Sequence, residues 1–162
     1  MKPGYIFIYA FVALVFVLQL FAEPRSDKST TPELVISIAR KYLGTPYKYG
    51  SINPEIGFDC SGFVYKVMEE AKISVPRTSR GFAEFGEKIE IDDARKGDVI
   101  LFTGSNYENK TIGHVGIIIS EKDDELQFIH SSSSKKHPGV VITSFSSGFY
   151  SKRFVGIRRI YN

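Results

Sequence analysis

Thiol chemistry in this chain rests on a single residue, Cys60. One cysteine cannot close an intramolecular disulfide, and it cannot supply the paired-cysteine spacing of a structural zinc site. Tryptophan is absent, but phenylalanine and tyrosine hold the aromatic share at 14%. The chain therefore has large side chains to bury and does not read as disordered. Charge of one sign is also scarce, with a formal net of +3 and basic residues scattered along the sequence. A nucleic-acid binder is expected to cluster them into a stripe, so that class of partner is excluded. No internal repeat is found, and 162 residues suit one domain with a sizeable core.

The long apolar run is confined to the start. Lys2 is followed by Tyr5 to Ala22, interrupted only by Gln19, and then by the polar stretch Glu23 to Ser29. A positive start and an apolar core define an export leader, either a cleaved signal peptide or an uncleaved N-terminal membrane anchor of residues 1–22. Residues 23–31 read as a linker and 32–162 as the domain. The location implied is the periplasm or cell envelope, with membrane contact only through the leader if it stays attached.

Thr31 and Pro32 then open a predicted helix with Leu34, Val35, Ile38, Ala39, Tyr42 and Leu43 on one face, stopped by Gly44. Thr45 to Phe58 is a loop rich in glycine, proline and tyrosine. After Cys60 the apolar residues Phe63, Val64, Val67, Met68 and Ala71 fall at helical spacing, so the cysteine opens a second helix that ends near Ile73. A short helix is expected over Gly81 to Phe85. From there the pattern changes to short runs rich in valine, isoleucine and phenylalanine: Asp98 to Phe102, Gly113 to Ser120, Leu126 to His130, Val140 to Ser144 and Phe154 to Ile160. Helices first and a strand meander afterwards predict an α+β domain, its N-terminal helices packed on an antiparallel β-sheet.

Asp59 is positioned as the N-cap of the second helix, and Gly57 and Gly62 permit close backbone approach on either side of Cys60. A thiol at a helix N-terminus faces the positive end of the macrodipole, which favours the nucleophilic thiolate. The alternative is a small, buried and inert hydrophobe. A nucleophile needs a base that is distant in sequence. Alternation along Gly113, His114 and Val115 turns the His114 ring away from Val115. A hairpin with its turn at Lys122 to Glu125 would bring His130 to the same end of the sheet. Cys60, His114 and His130 then make a nucleophile, a base and an orienter. Two ordinary core histidines, or a zinc site made of the same three residues, fit the spacing as well. His137 lies in a polar loop and reads as solvated.

Six segments taken in order extend this pattern: Gly44 to Gly50 (GTPYKYG), Phe58 to Phe63 (FDCSGF), Pro76 to Ser79 (PRTS), Gly97 to Phe102 (GDVILF), Gly113 to Ile117 (GHVGI) and Phe128 to His130 (FIH). Together they closely resemble the NlpC/p60 cell-wall cysteine peptidases, over about Pro32 to Ile160. The resemblance implies a papain-like fold, no cofactor or metal, and hydrolysis of peptidoglycan stem peptides between γ-D-glutamate and a diamino acid through a thioacyl intermediate. It makes Cys60 the nucleophile, His114 the base and His130 the residue that orients it. It places Tyr47, Asp59 and Ser61 in substrate binding, and Arg77 and Ser79 in structural or groove-lining positions. A monomer is expected. A non-catalytic wall-binding protein of the same fold, an amidase or acyltransferase, or an exported toxin are the alternatives. The chain departs from the family pattern at Ser51 to Ile56 and at Gly104 to Ile112, two loops that could border the cleft.

Overall fold

The computed structural model describes residues 31–104, 108 and 111–161. The expected leader, and the linker up to residue 30, lie outside these. Among the described residues no helix is long and apolar enough to cross a membrane.

Helix α1 (Thr31–Lys41) buries Val35, Ile36, Ile38 and Ala39. Leu34 and Leu43, expected on the core face, are 40% and 44% exposed. The buried stripe is thus rotated toward Ile36, because α1 meets the core over two turns only and presents a narrow face to it. Inside the segment read as a loop, β1 (Ile52–Asn53) and β2 (Gly57–Phe58) form a small antiparallel ribbon that leads into the cysteine. Helix α2 (Cys60–Glu70) follows at once. It closes with a Schellman motif: the Ile73 N–H donates to the Met68 carbonyl at 2.8 Å and the Lys72 N–H to Glu69 at 3.0 Å, with Lys72 at φ +63°. The regular helix therefore stops three residues short of the expected end. The short helix downstream is a 3₁₀ turn over Ser79–Glu84, capped by the Thr78 side chain.

The sheet comprises β3 (Glu87–Ile89), β4 (Val99–Thr103), β5 (Ile112–Ile118), β6 (Gln127–Ser132), β7 (Gly139–Ser144) and β8 (Phe154–Arg159). Its order is β3-β8-β4-β5-β6-β7, with every pairing antiparallel. The class is α+β, as expected. The edge strand β3 was not anticipated, since only Ile89 in its Glu-Lys-Ile sequence is buried. Strand β6 runs two residues past His130, through the buried serines Ser131 and Ser132 where a loop was expected.

All five residues of the central strand β4 are buried, which requires cover on both faces. One face carries Val99, Leu101, Val115, Ile117 and Ile129 against α1 and α2. The other carries Ile100, Phe102, Ile118, Phe128 and Ile157 beneath Phe145, Tyr150 and Phe154. The last three come from 3₁₀ turns between β7 and β8 and from β8 itself. Asp98, at the head of β4 and 1% exposed, is held by the Arg159 guanidinium of β8 at 2.9 and 2.7 Å. Two buried aromatic layers and this ion pair fix the sheet on which the site is built.

Candidate active site

Cys60 is the first residue of α2, and Asp59 caps the helix by accepting from the Gly62 N–H at 2.5 Å. Gly62 has no alternative here. A Cβ on it would lie 2.2 Å from the Ser51 carbonyl oxygen, which also accepts the Asp59 N–H at 3.1 Å. Arg77 grips the same carboxylate with two nitrogens, at 3.1 and 2.8 Å, and donates to the Ser61 hydroxyl at 3.1 Å. The Ser61 hydroxyl in turn donates to Asp59 at 3.1 Å. Burial alone would raise the Asp59 carboxyl, but the bonds from Arg77, Gly62 and Ser61 hold it below its ordinary value. Asp59 and Ser61 are thus both buried, in a network that locks the start of α2. Tyr47 bridges Phe58 through its backbone. Its phenol is half-buried, and its pKa is raised by burial and by the charges of Cys60 and Asp59.

The thiol is partly buried and donates weakly to the Gly113 carbonyl at 3.8 Å. Gly113 precedes His114, so the sulfur lies beside the base of the histidine strand. Burial pushes the Cys60 thiol up and the Asp59 charge adds to this, while the backbone N–H groups of Ser61, Val115 and Cys60 pull it down. The net is upward. The dipole argument anticipated a thiolate, but the loss of hydration outweighs the helix terminus.

His114 and His130 meet as the hairpin argument required. β5 and β6 pair at Ile117 with Ile129 and Ile118 with Phe128, a register that puts both rings on the face opposite Val115. His114 Nε2 lies 2.8 Å from His130 Nδ1. His114 Nδ1 is therefore the nitrogen left for the thiol proton. The next link was not foreseen: His130 Nε2 lies 3.0 Å from the Thr143 hydroxyl on β7. Thr143 faces Phe128 in the ladder, so it reaches His130 diagonally. Tyr150 was missed too. Its ring centroid is 5.8 Å from that of His114 and 5.1 Å from that of His130, and its hydroxyl bonds with Ser132. No spacing in the sequence marks either residue, because both arrive from elements whose packing is set by the fold.

Burial pushes the His114 imidazole down to about 4, helped by the positive charge of Arg153. His130, with no exposed surface, is also driven well below its usual value, by burial first and by His114 second. At neutral pH the resting pair is a neutral thiol and a neutral imidazole. Proton transfer then belongs to the act of attack and does not precede it. Behind the rings, Gly116 keeps the space open: a Cβ there would come within 2.8 Å of Phe128 and 3.2 Å of the His130 Cβ. Ser131, next to His130, donates to the Phe58 carbonyl at 2.8 Å, tying the histidine strand to the segment that precedes Cys60. His137 is exposed in the loop before β7, away from this set. Among the described residues no three His, Cys, Asp or Glu side chains stand close enough to share a metal ion.

Residues 44–159 match the model of the NlpC/P60 family. The chain is 36% identical over 143 residues to the bifunctional muramidase/DL-endopeptidase CwlT of Bacillus subtilis (strain 168), covering 83% of this chain and 41% of that protein. It is 30% identical over 161 residues to the γ-D-glutamyl-L-lysine dipeptidyl-peptidase of the same organism, covering 99% of this chain and 52% of that protein. It thus spans about half, or less, of the length of these relatives. A crystal structure of an NlpC/P60 family protein from Bacillus cereus superposes with a TM-score of 0.71 at 27% identity, covering 80% of this chain and 40% of that one.

Proposed function

This chain belongs to the NlpC/P60 family, and from that premise we propose that it is a cysteine endopeptidase of the cell envelope that hydrolyses peptidoglycan stem peptides at the γ-D-glutamyl–diamino acid bond. The observation that carries the proposal is a thiol lying beside Gly113, the residue before His114, together with the chain from His114 Nε2 to His130 Nδ1 at 2.8 Å and on to Thr143. Two relatives named as a DL-endopeptidase and a γ-D-glutamyl-L-lysine peptidase support the choice of bond. The reading keeps residues 1–22 as the export leader or anchor and 32–162 as a monomeric peptidase domain.

In this reading His114 Nδ1 takes the thiol proton as the sulfur attacks the scissile carbonyl, giving a tetrahedral oxyanion. The Cys60 backbone N–H, one of the amides that already faces the sulfur, is placed to meet that charge. Losing one such donor typically costs about a hundredfold or more in rate. The imidazolium passes its proton to the departing amine and leaves a thioacyl enzyme. A water deprotonated by His114 then releases the acid and restores the thiol. His130 fixes the ring that does this, as the orienting member of a triad does. Tyr47 is assigned to the acyl side of the substrate, with Asp59 and Ser61 behind it shaping that side through Arg77.

The test is mass spectrometry of muropeptides after digestion. Wild-type protein should release fragments cut after γ-D-glutamate, and Cys60→Ala should release none while keeping its thermal midpoint within a few degrees. Purified Cys60→Ala that still cuts would end the proposal. Fragments ending at another bond would keep the cysteine hydrolase and move the substrate.

A further inference from the structure

Next to His114 the structure contains a cavity of about 240 Å³ whose wall includes Gly113 and His114 but none of Cys60, Tyr47, Asp59 or Ser61. It lies on the imidazole side of the site. Sites for drug-sized ligands run to about 300–1,000 Å³, so this one suits a single residue and not a length of peptide.

Its lining is chemically one-sided. Among the described residues that line it, none is acidic. One cation borders it, Arg153, together with the hydroxyl-bearing residues Thr103, Ser132, Ser133 and Ser134. The guanidinium is held in place. Its central carbon sits 4.3 Å from the Phe149 ring centroid, and Nη1 donates to the Gly104 carbonyl. Its positive charge reaches the interior, where it helps depress the His114 imidazole. Thr103, 4% exposed, contributes a buried hydroxyl with no hydrogen-bond partner among the described residues.

We infer that this cavity is a carboxylate-binding subsite for the leaving half of the substrate, with Arg153 as the residue that selects the anion. The inference rests on the reading of the site as a γ-D-glutamyl–diamino acid endopeptidase. His114 must hand its proton to the departing amine, so the residue that carries this amine lies against the imidazole. Where the stem peptide ends at that residue its α-carboxylate is free, and meso-diaminopimelate carries a further carboxylate at the end of its side chain whether or not the chain continues. A guanidinium presents its N–H donors in a fixed fork that matches a carboxylate with two parallel bonds, which an ammonium cannot do.

The test uses three peptides that share the γ-D-glutamyl bond and end in L-lysine, L-lysine amide or meso-diaminopimelate. Each is cleaved by wild-type protein, Arg153→Gln and Arg153→Lys. Arg153→Gln keeps an amide donor for the Gly104 carbonyl and removes the charge. It should raise KM for the free acids about 10- to 100-fold with kcat within threefold, and leave the lysine amide within twofold of wild type, in line with the strength of charge-assisted bonds. Arg153→Lys should recover part of the loss. A defect on both free acids locates the α-carboxylate in the cavity, and a defect confined to meso-diaminopimelate locates the side-chain carboxylate there. A second arm titrates Cys60→Ala with L-lysine and L-lysine amide and should find the acid bound more tightly, a preference erased by Arg153→Gln. Equal losses on acid and amide, or no loss on either, would overturn the inference while leaving the peptidase intact. Wild-type protein that cuts none of the peptides would remove the peptidase reading and the inference with it.

Discussion

Replacing Thr143 by valine tests the far end of the relay, where the structure makes a specific demand on a proton. His130 has no exposed surface, and burial keeps it neutral, so it carries one N–H and one bare nitrogen. With the proton on Nε2 it donates to Thr143 Oγ1 at 3.0 Å, and bare Nδ1 accepts the His114 Nε2–H at 2.8 Å. His114 Nδ1 is then bare and able to take the thiol proton. With the proton on His130 Nδ1 the polarity reverses, and His114 Nδ1 is protonated and useless as a base. Valine keeps the shape of threonine but removes the acceptor. An orphaned N–H on a ring with no exposed surface costs about 1–3 kcal/mol, so the tautomer that avoids it gains by that amount. At about 1.4 kcal/mol per tenfold, the productive tautomer falls by roughly ten- to a hundredfold. Thr143→Val should therefore lower kcat about 10- to 100-fold with KM near wild type, and Thr143→Ser should restore it. Long-range ¹⁵N–¹H spectra of the imidazoles would read the tautomers directly. A valine variant with kcat within twofold of wild type would refute the assignment of Nε2–H to Thr143.

Two other perturbations probe the electrostatics. Because burial and Asp59 hold the thiol up, alkylation of Cys60 by iodoacetamide should climb about tenfold per pH unit between 6 and 8, as expected for a thiol held above its ordinary value. A flat rate across that range would mean a preformed thiolate–imidazolium pair. For Asp59 the folded value lies below the unfolded one, so its stabilisation is present above the ordinary carboxylate range and is lost as pH falls through the folded value. With the Arg77 side chain 34% exposed, the contribution is discounted to about 1 kcal/mol. Asp59→Asn should show that deficit in urea unfolding at pH 7, and the deficit should shrink as pH is lowered below the ordinary carboxylate range. A deficit that does not change with pH would assign it to capping geometry and not to charge.

Local signals announced most of the frame. The apolar spacing after Cys60 has one helical solution, and alternation around His114 has one face for the ring, so both were legible in sequence. The same holds for the strands β4 to β8, whose valine, isoleucine and phenylalanine runs are bounded by turn residues. What escaped is set at longer range. Thr143 is one β-branched residue among several in β7, and only the ladder register selects it. Tyr150 enters from a 3₁₀ turn that caps the far face of the sheet. The two-sided burial of β4 by separate aromatic groups is invisible to a window a few residues wide. The thiol is the clearest case: its place at a helix start is local, whereas the Gly113 carbonyl and the Val115 N–H that it meets arrive on β5 some fifty positions later.

The hydroxyl of Ser131 and the carbonyl of Phe58 are 73 positions apart in the chain, and their bond sets the gap between the layer that holds the nucleophile and the layer that holds its base. Until β5 and β6 have docked, a half-assembled molecule has the cysteine without its base and without the histidine that orients that base. Reactivity is thereby switched on by the completion of folding itself. Under the proposed function, the nucleophile and its base are brought together only in the folded molecule.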